Sequence, residues 1–301
     1  MLTVETQQFL DSLKSLNLPP IEQVPVDILR DQYETLVTLY GGVKSEDILS
    51  SDSLLDLPGV ARPITIRSFE IENPTGVILF AHGGGWTRGS LDTHHIMCQN
   101  LALVTHKKVV AVDYSLSPDC PYPGAINEIE AVYKHLLGRY DLPVSFAGDS
   151  AGGNLLAGLI VRLNHHGFAL PKECIFFYPS LDLTGRLDSL NEFAEGYVLS
   201  KHSMQYYVKN YLGGNLALAS EPEVSPLWQI QNIDFPETLI IAAEFDPIRD
   251  DSRVLKSILE PKGALKGYLE VPGVIHVFAQ FPGLFPEAKQ TFEWISKFYS
   301  K

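Results

Sequence analysis

Three short segments of this 301-residue chain carry the residue types that acyl-transfer chemistry needs. In Gly148-Asp149-Ser150-Ala151-Gly152, with Gly153 next, a serine stands between glycines at the spacing of a nucleophile elbow. Small neighbours let the chain turn sharply, which projects the hydroxyl and aims the following amide at a reacting carbonyl. In His82-Gly83-Gly84-Gly85-Trp86, glycines without side chains can present backbone N–H groups to a developing oxyanion. A phosphate-binding loop is the rival for that segment, but Gly-x-Gly-x-x-Gly begun at Gly83 fails at Arg88, and no Gly-Lys-Ser/Thr is present. The third segment, Val274-Ile275-His276-Val277-Phe278, offers a base for the serine.

A serine nucleophile needs a histidine, and the histidine needs a carboxylate that holds its tautomer. In the elbow arrangement the acid and then the histidine follow the serine in the chain. Only His165, His166, His202 and His276 follow Ser150. His165 and His166 end the helix that the elbow opens, far from the serine, and His202 falls in an irregular segment. His276 follows the last expected strand, where a loop at the carboxyl edge of a sheet belongs. Asp246, in Glu244-Phe245-Asp246-Pro247, is the expected acid; Asp182, after another strand, is its rival. Asp250 and Asp251 read as helix caps, and Asp113 as structural. Asp149 either steadies the elbow or faces solvent. His94-His95 reads as a surface or capping pair, because adjacent ring positions diverge on a helix. Tyr206, Tyr207 and Tyr211 pack a lid helix or line an acyl pocket.

These residues need a frame. Strands are expected at Ile64–Phe69, Gly76–Ala81, Val109–Tyr114, Val144–Gly148, Glu173–Tyr178, Thr238–Ala243 and Gly267–Val271. Helices are expected near Thr93–Thr105, Gly124–Leu137, Ala151–His165, Asp250–Leu259 and Pro286–Tyr299. Uninterrupted apolar strands such as Val-Ile-Leu-Phe-Ala require a sheet covered on both faces, and the alternation with helices predicts a mostly parallel, doubly wound α/β fold. Two helical stretches precede the sheet, around Phe9–Leu16 and Val26–Tyr40, with a Ser/Asp-rich linker at about Ser50–Asp56. The stretch from Asp182 to Leu227 interrupts the alternation and has the length of a lid.

Composition narrows the partners. Thirty-six acidic against 23 basic residues leave a net charge of −13, which disfavours nucleic acid and anionic membrane surfaces. The N-terminus lacks the basic start and apolar core of a signal peptide, and no apolar run spans a bilayer. Cys98, Cys120 and Cys174 are few and scattered, as reduced thiols of a cytoplasmic protein would be.

Taken together, the motifs resemble those of the hormone-sensitive-lipase family of α/β-hydrolases, closest to the bacterial acetyl esterases. The resemblance rests on His82-Gly-Gly-Gly-Trp86, Gly89-Ser-Leu-Asp-Thr-His94, Asp113-Tyr-Ser-Leu-Ser-Pro118, Gly148-Asp-Ser-Ala-Gly-Gly153, Glu244-Phe-Asp-Pro247 and His276-Val-Phe278, in the family's order. It implies the α/β-hydrolase fold, with Ser150 as nucleophile, His276 as base and Asp246 as orienting acid. It also implies an oxyanion hole from the amides of Gly84, Gly85 and Ala151, with Gly83 setting the turn and His82 supporting the loop. Residues 1–45 and 182–227 fall where the family keeps its helical cap, leaving 46–301 as the catalytic domain. The implied reaction is hydrolysis of short acyl esters, acetyl to about hexanoyl, without cofactor or metal, by a monomer or homodimer. Lactonase, amidase or thioesterase activity on the same machinery is the alternative. A non-catalytic ligand-binding homologue is less compatible, since the gibberellin receptors of this family lack the histidine that stands here at 276. Asp119-Cys120 and Trp86 depart from the family's common residues near the acyl site.

Overall fold

The computed structural model describes residues 1–300. Its elements run α1 (Val4–Ser15), α2 (Val26–Tyr40), β1 (Ser50–Leu55), β2 (Ile64–Phe69), β3 (Val77–Ala81), α3 (His95–Thr105), β4 (Lys108–Val112), α4 (Gly124–Arg139) and β5 (Val144–Asp149). They continue α5 (Ala151–His166), β6 (Glu173–Phe177), α6 (Ser189–Glu192), α7 (Lys201–Tyr211), β7 (Glu237–Phe245), α8 (Arg249–Leu259), β8 (Leu265–Ile275) and α9 (Pro286–Ser296). The strands form one sheet in the order β1-β2-β4-β3-β5-β6-β7-β8. The β1–β2 and β2–β4 pairs are antiparallel, and every pair from β4–β3 to β7–β8 is parallel.

Strand periodicity divides the core. Val77, Leu79 and Ala81 of β3 and Phe146 of β5 point to one face, where α4, α5 and α8 cover them. Ile78, Phe80 and Ala147 point to the other face, which α3, α9 and the N-terminal helices cover. Both faces are covered, so the strands show no polar alternation. This agrees with the expected doubly wound α/β-hydrolase architecture.

One expectation fails at the sheet edge. Ser50–Leu55, read as linker, is strand β1, its residues pairing from Ser50↔Phe69 to Leu55↔Ile64. An edge strand is held by its backbone ladder and needs no apolar side chains, so Ser and Asp suit it. Arg67 adds a bidentate contact to Asp52, at 2.7 and 2.9 Å.

The segments outside the alternation are anchored at both ends. Thr3 caps α1 by accepting from the Thr6 amide, and its own amide donates to the Gly273 carbonyl at the end of the sheet. Phe9 and Tyr40 pack edge-on beside Phe281 and Phe285. In the 182–227 stretch, Ser200 and Ser203 form a capping box that starts α7 and sets which face of the helix turns inward. Asp250 and Asp251 lie in the first turn of α8 but do not cap it. Asp251 accepts from the amides of Leu181 (2.5 Å) and Asp182 (2.7 Å), and Asp250 from Ser189 (3.0 Å). They tie the 181–189 chain to α8, and Arg249 repeats the tie through Glu192 at 2.7 Å.

Candidate active site

Sheet order explains why distant segments meet. β3 and β5 are adjacent, with Ala81 opposite Gly148, so His82–Trp86 and Ser150 leave the carboxyl edge side by side. The strand order reverses at β3, which opens the crevice where α/β sheets bind ligands. β7 and β8 end together, with Phe245 opposite Ile275, so Asp246 and His276 emerge next to each other.

Ser150 has φ 50° and ψ −117°, a strained conformation for a residue with a side chain. Its amide donates to Phe177 at 2.9 Å, and its carbonyl accepts from Asn154 at 3.1 Å and Ser180 at 3.2 Å. These bonds hold the turn. Gly152 is required where α5 starts, because a Cβ there would overlap the Ala81 carbonyl.

The Ser150 Oγ lies 2.8 Å from His276 Nε2, and His276 Nδ1 lies 2.7 Å from Asp246 Oδ2. With Nδ1–H given to the carboxylate, Nε2 presents a lone pair to the hydroxyl. The other Asp246 oxygen accepts from the Ile248 amide at 3.0 Å, which fixes the carboxylate. All three side chains are buried. Asp182, the rival acid, is committed to its own turn, accepting from the Thr184 (3.0 Å) and Arg186 (3.1 Å) amides.

The glycine loop curls over the serine. Gly84 sits at φ 122°, where a side chain would be strained and would strike the Arg88 carbonyl. Gly84 and Gly85 both line the cavity beside Ser150. Among the described residues, the amides of Gly84, Gly85 and Ala151 have no hydrogen-bond acceptor, whereas the Gly83 amide donates to Asp149 Oδ1 at 2.8 Å. The loop thus spends one amide on support and leaves two without an acceptor at the cavity wall.

Asp149 is fully buried and faces the loop, not solvent. Its partner is His94, whose Nε2 lies 3.2 and 3.3 Å from the two carboxylate oxygens. Burial alone would raise the Asp149 carboxyl, but His94 and the Gly83 amide outweigh it and hold the group below its ordinary range. Neither His94 nor His95 is on the surface. His94 Nδ1 meets the Thr93 hydroxyl at 2.8 Å, and His95 packs edge-on against Phe69. His82 stacks on Tyr114 at 4.2 Å with its Nδ1 on the Gly83 carbonyl at 2.8 Å. Burial, with His94 adding to it, pushes His82 down to about 3.

The cavity at Ser150 holds only about 30 Å³ and is roofed by Tyr33, Met204 and Tyr207. Tyr207 lies over Gly85, Trp86 stacks on Tyr211 at 4.6 Å, and the Arg88 guanidinium sits 4.5 Å from the Tyr33 ring and 5.4 Å from Tyr207. Of the α7 tyrosines, Tyr207 lines the site, whereas Tyr211 packs the helix against Trp86. Sequence reasoning did not find Tyr33, Met204 or Gln280. Gln280 donates to the Thr93 carbonyl at 3.1 Å and accepts from the Tyr33 hydroxyl, joining α2 to the histidine loop. No motif marks these residues, since their roles come from helices packing across the sheet edge.

Known proteins match this arrangement. The α/β-hydrolase-fold family matches residues 78–280. The carboxylic ester hydrolase LipN of Mycobacterium tuberculosis is 31% identical over 69% of this chain and 59% of its own. An esterase of Acinetobacter venetianus is 34% identical over 79% of this chain and 80% of its own. An acetyl esterase of Salmonella schwarzengrund is 34% identical over 65% and 64%. The match thus spans less than two thirds of LipN and of the acetyl esterase. Among solved structures, the esterase of Pyrobaculum calidifontis superimposes with a TM-score of 0.87 at 27% identity, covering 99% of this chain and 98% of that one. The chain therefore belongs to the hormone-sensitive-lipase-like branch of the α/β-hydrolase family, whose matched relatives are carboxylic ester hydrolases.

Proposed function

We propose that this chain is a serine carboxylesterase that hydrolyses short acyl esters, acetyl to about hexanoyl, through an acyl-enzyme on Ser150. The observation that carries this reading is the buried row Ser150 Oγ, His276 Nε2 and Nδ1, Asp246 Oδ2, at 2.8 and 2.7 Å, facing amides that have no other acceptor. His276 takes the Ser150 proton as Oγ attacks the ester carbonyl. The carbonyl oxygen, now negative, lies among the amides of Gly84, Gly85 and Ala151, each donor supplying roughly 3 kcal/mol of transition-state stabilisation. His276 then gives the proton to the leaving alkoxide, the C–O bond breaks, and the acyl group remains on Ser150. Water, deprotonated by His276, attacks the acyl carbon next; the bond to Ser150 Oγ breaks, Oγ takes the proton back from His276, and the carboxylic acid leaves. Asp246 accepts from Nδ1 and holds the imidazole throughout.

The preference for short chains is supported by the roof of Tyr33, Met204 and Tyr207, which closes the cavity over Ser150. The name of the Salmonella relative points the same way. Residues 1–45 and 182–227 serve as the cap in this proposal, because Tyr33 and Tyr207 close the site from those two segments. Neutral esters fit a chain of net charge −13 that would repel anionic substrates. A cytoplasmic location, as a monomer or homodimer, belongs to the same reading. The test is kcat/KM for p-nitrophenyl acetate, butyrate and decanoate. Turnover should fall from butyrate to decanoate and vanish in Ser150→Ala; full activity in that variant would sink the mechanism.

A further inference from the structure

A guanidinium carries a permanent charge and five N–H donors, so an arginine drawn in from water needs acceptors. Arg30, Arg62, Arg67, Arg162, Arg249 and Arg253 each pair with a carboxylate. Arg139 and Arg186 are exposed to water. Arg88 has neither solution. It is half-buried, and its Nε is shielded from solvent without a hydrogen-bond partner among the described residues. Among the residues that line the cavity at Ser150, Arg88 alone carries a permanent charge.

Arg88 is held at both ends. Its amide donates to the Gly84 carbonyl at 3.1 Å, so its backbone belongs to the glycine turn. Its guanidinium lies between two rings of the roof, 4.5 Å from Tyr33 and 5.4 Å from Tyr207. The faces of those rings offset part of the charge but offer no lone pair to an N–H. A buried donor without an acceptor is costly. A hydrocarbon group in the cavity leaves that cost in place, whereas an oxygen on the substrate removes it. We propose that Arg88 is a specificity-determining residue whose Nε–H binds a second oxygen acceptor on the ester, so that the favoured substrates are short neutral esters with a further carbonyl group. This rests on the esterase reading and specifies its substrate class. The acceptor is a carbonyl and not a carboxylate, because a net charge of −13 opposes the approach of anions. A site built to hydrogen-bond a substrate group rejects the analogue that lacks it, since the donor is then left unpaired.

The test measures kcat/KM for two pairs of esters, ethyl acetoacetate with ethyl 3-methylbutanoate and acetoxyacetone with isobutyl acetate. In each pair a methyl group stands in for the carbonyl oxygen, on the acyl side in the first and on the alcohol side in the second. Comparing the oxygenated-to-hydrocarbon ratio between wild type and Arg88→Leu cancels the intrinsic reactivity of the esters. That ratio should fall roughly tenfold or more in at least one pair, the value of a hydrogen bond to a charged donor. A fall in the acetoacetate pair places the acceptor on the acyl side; a fall in the acetoxyacetone pair places it on the alcohol side. Unchanged ratios in both pairs overturn the proposal, even if every rate drops together, which is what a mere brace between Tyr33 and Tyr207 would produce. Thermal melting reports whether Arg88→Leu is folded; if it is not, Arg88→Met is read in the same way. Monoethyl malonate is the anionic counterpart of ethyl acetoacetate, and a wild-type preference for it that Arg88→Leu abolishes would overturn the neutral substrate class. Failure of wild type on all of these esters and on ethyl acetate would instead overturn the esterase reading, and the two failures are distinct.

Discussion

Two buried aspartate–histidine pairs lie at the carboxyl edge of this sheet, and they are chemically alike. Asp246 holds His276 at 2.7 Å, and Asp149 holds His94 at 3.2 Å. They differ in what the far side of each pair meets. His276 turns its second nitrogen to the Ser150 hydroxyl, whereas His94 turns its second nitrogen to the Thr93 hydroxyl. The Asp149 carboxylate in turn holds the Gly83 amide, and Asp246 holds the start of its own turn. In the proposed mechanism the first pair moves a proton at the serine, and the second positions the loop that would bind the oxyanion. In that reading the same two residue types do reaction chemistry or support it, according to which strand ends place them near the serine.

Breaking the first pair should have the largest effect. Asp246→Asn leaves the size of the side chain but favours the wrong tautomer of His276, and should lower kcat by roughly 10⁴-fold. Asp182→Asn should change kcat by less than about threefold, since its oxygens serve a local turn. A larger loss in Asp182→Asn, measured on p-nitrophenyl acetate, would reassign the acid. Breaking the second pair should cost less. Asp149→Ala frees the Gly83 amide and lets the glycine loop shift, which should lower kcat by about 10- to 100-fold with little change in KM. If KM rises and kcat holds, the loop acts in ground-state binding and the contrast between the pairs fails.

The smallest effect is on stability, and it sharpens the supporting role of the second region. His82 is pushed down to about 3 by burial, from an ordinary value of 6.5. The unfolded chain takes up this proton near pH 6.5 and the folded chain only near 3. Stability is therefore complete above about 6.5 and falls as the pH drops through that window, by up to about 1.4 kcal/mol per unit. Urea midpoints should decline between about pH 7 and 5, and His82→Gln should flatten that part of the decline. Equal slopes in the two proteins would show that His82 is already accommodated as a cation.

The contrast also shows what local pattern can and cannot carry. Ser150, His276 and the glycine loop are legible because each follows a recognisable strand and the chemistry restricts the residue types. His94 is not, since an adjacent histidine pair on a helix looks like surface, and only Phe80, His82, Asp149 and Gln280, from distant parts of the chain, bury it. Asp250 and Asp251 look like caps because they open a helix, yet their carboxylates serve the 181–189 chain instead. Ser50–Leu55 looks like linker because side-chain pattern says little about an edge strand, whose ladder is made by backbone groups.

The amino-acid sequence by itself determined the reaction class, the order of the proposed triad residues and the two-sided sheet, because elbow geometry, strand–helix alternation and apolar strands depend on local spacing. Tertiary structure alone decided the size of the space at Ser150, the support of the glycine loop by Asp149 and His94, and the placement of an unpaired Arg88 in the cavity wall. Those depend on contacts across elements far apart in the chain, where a residue's type leaves its neighbours open and only packing selects them.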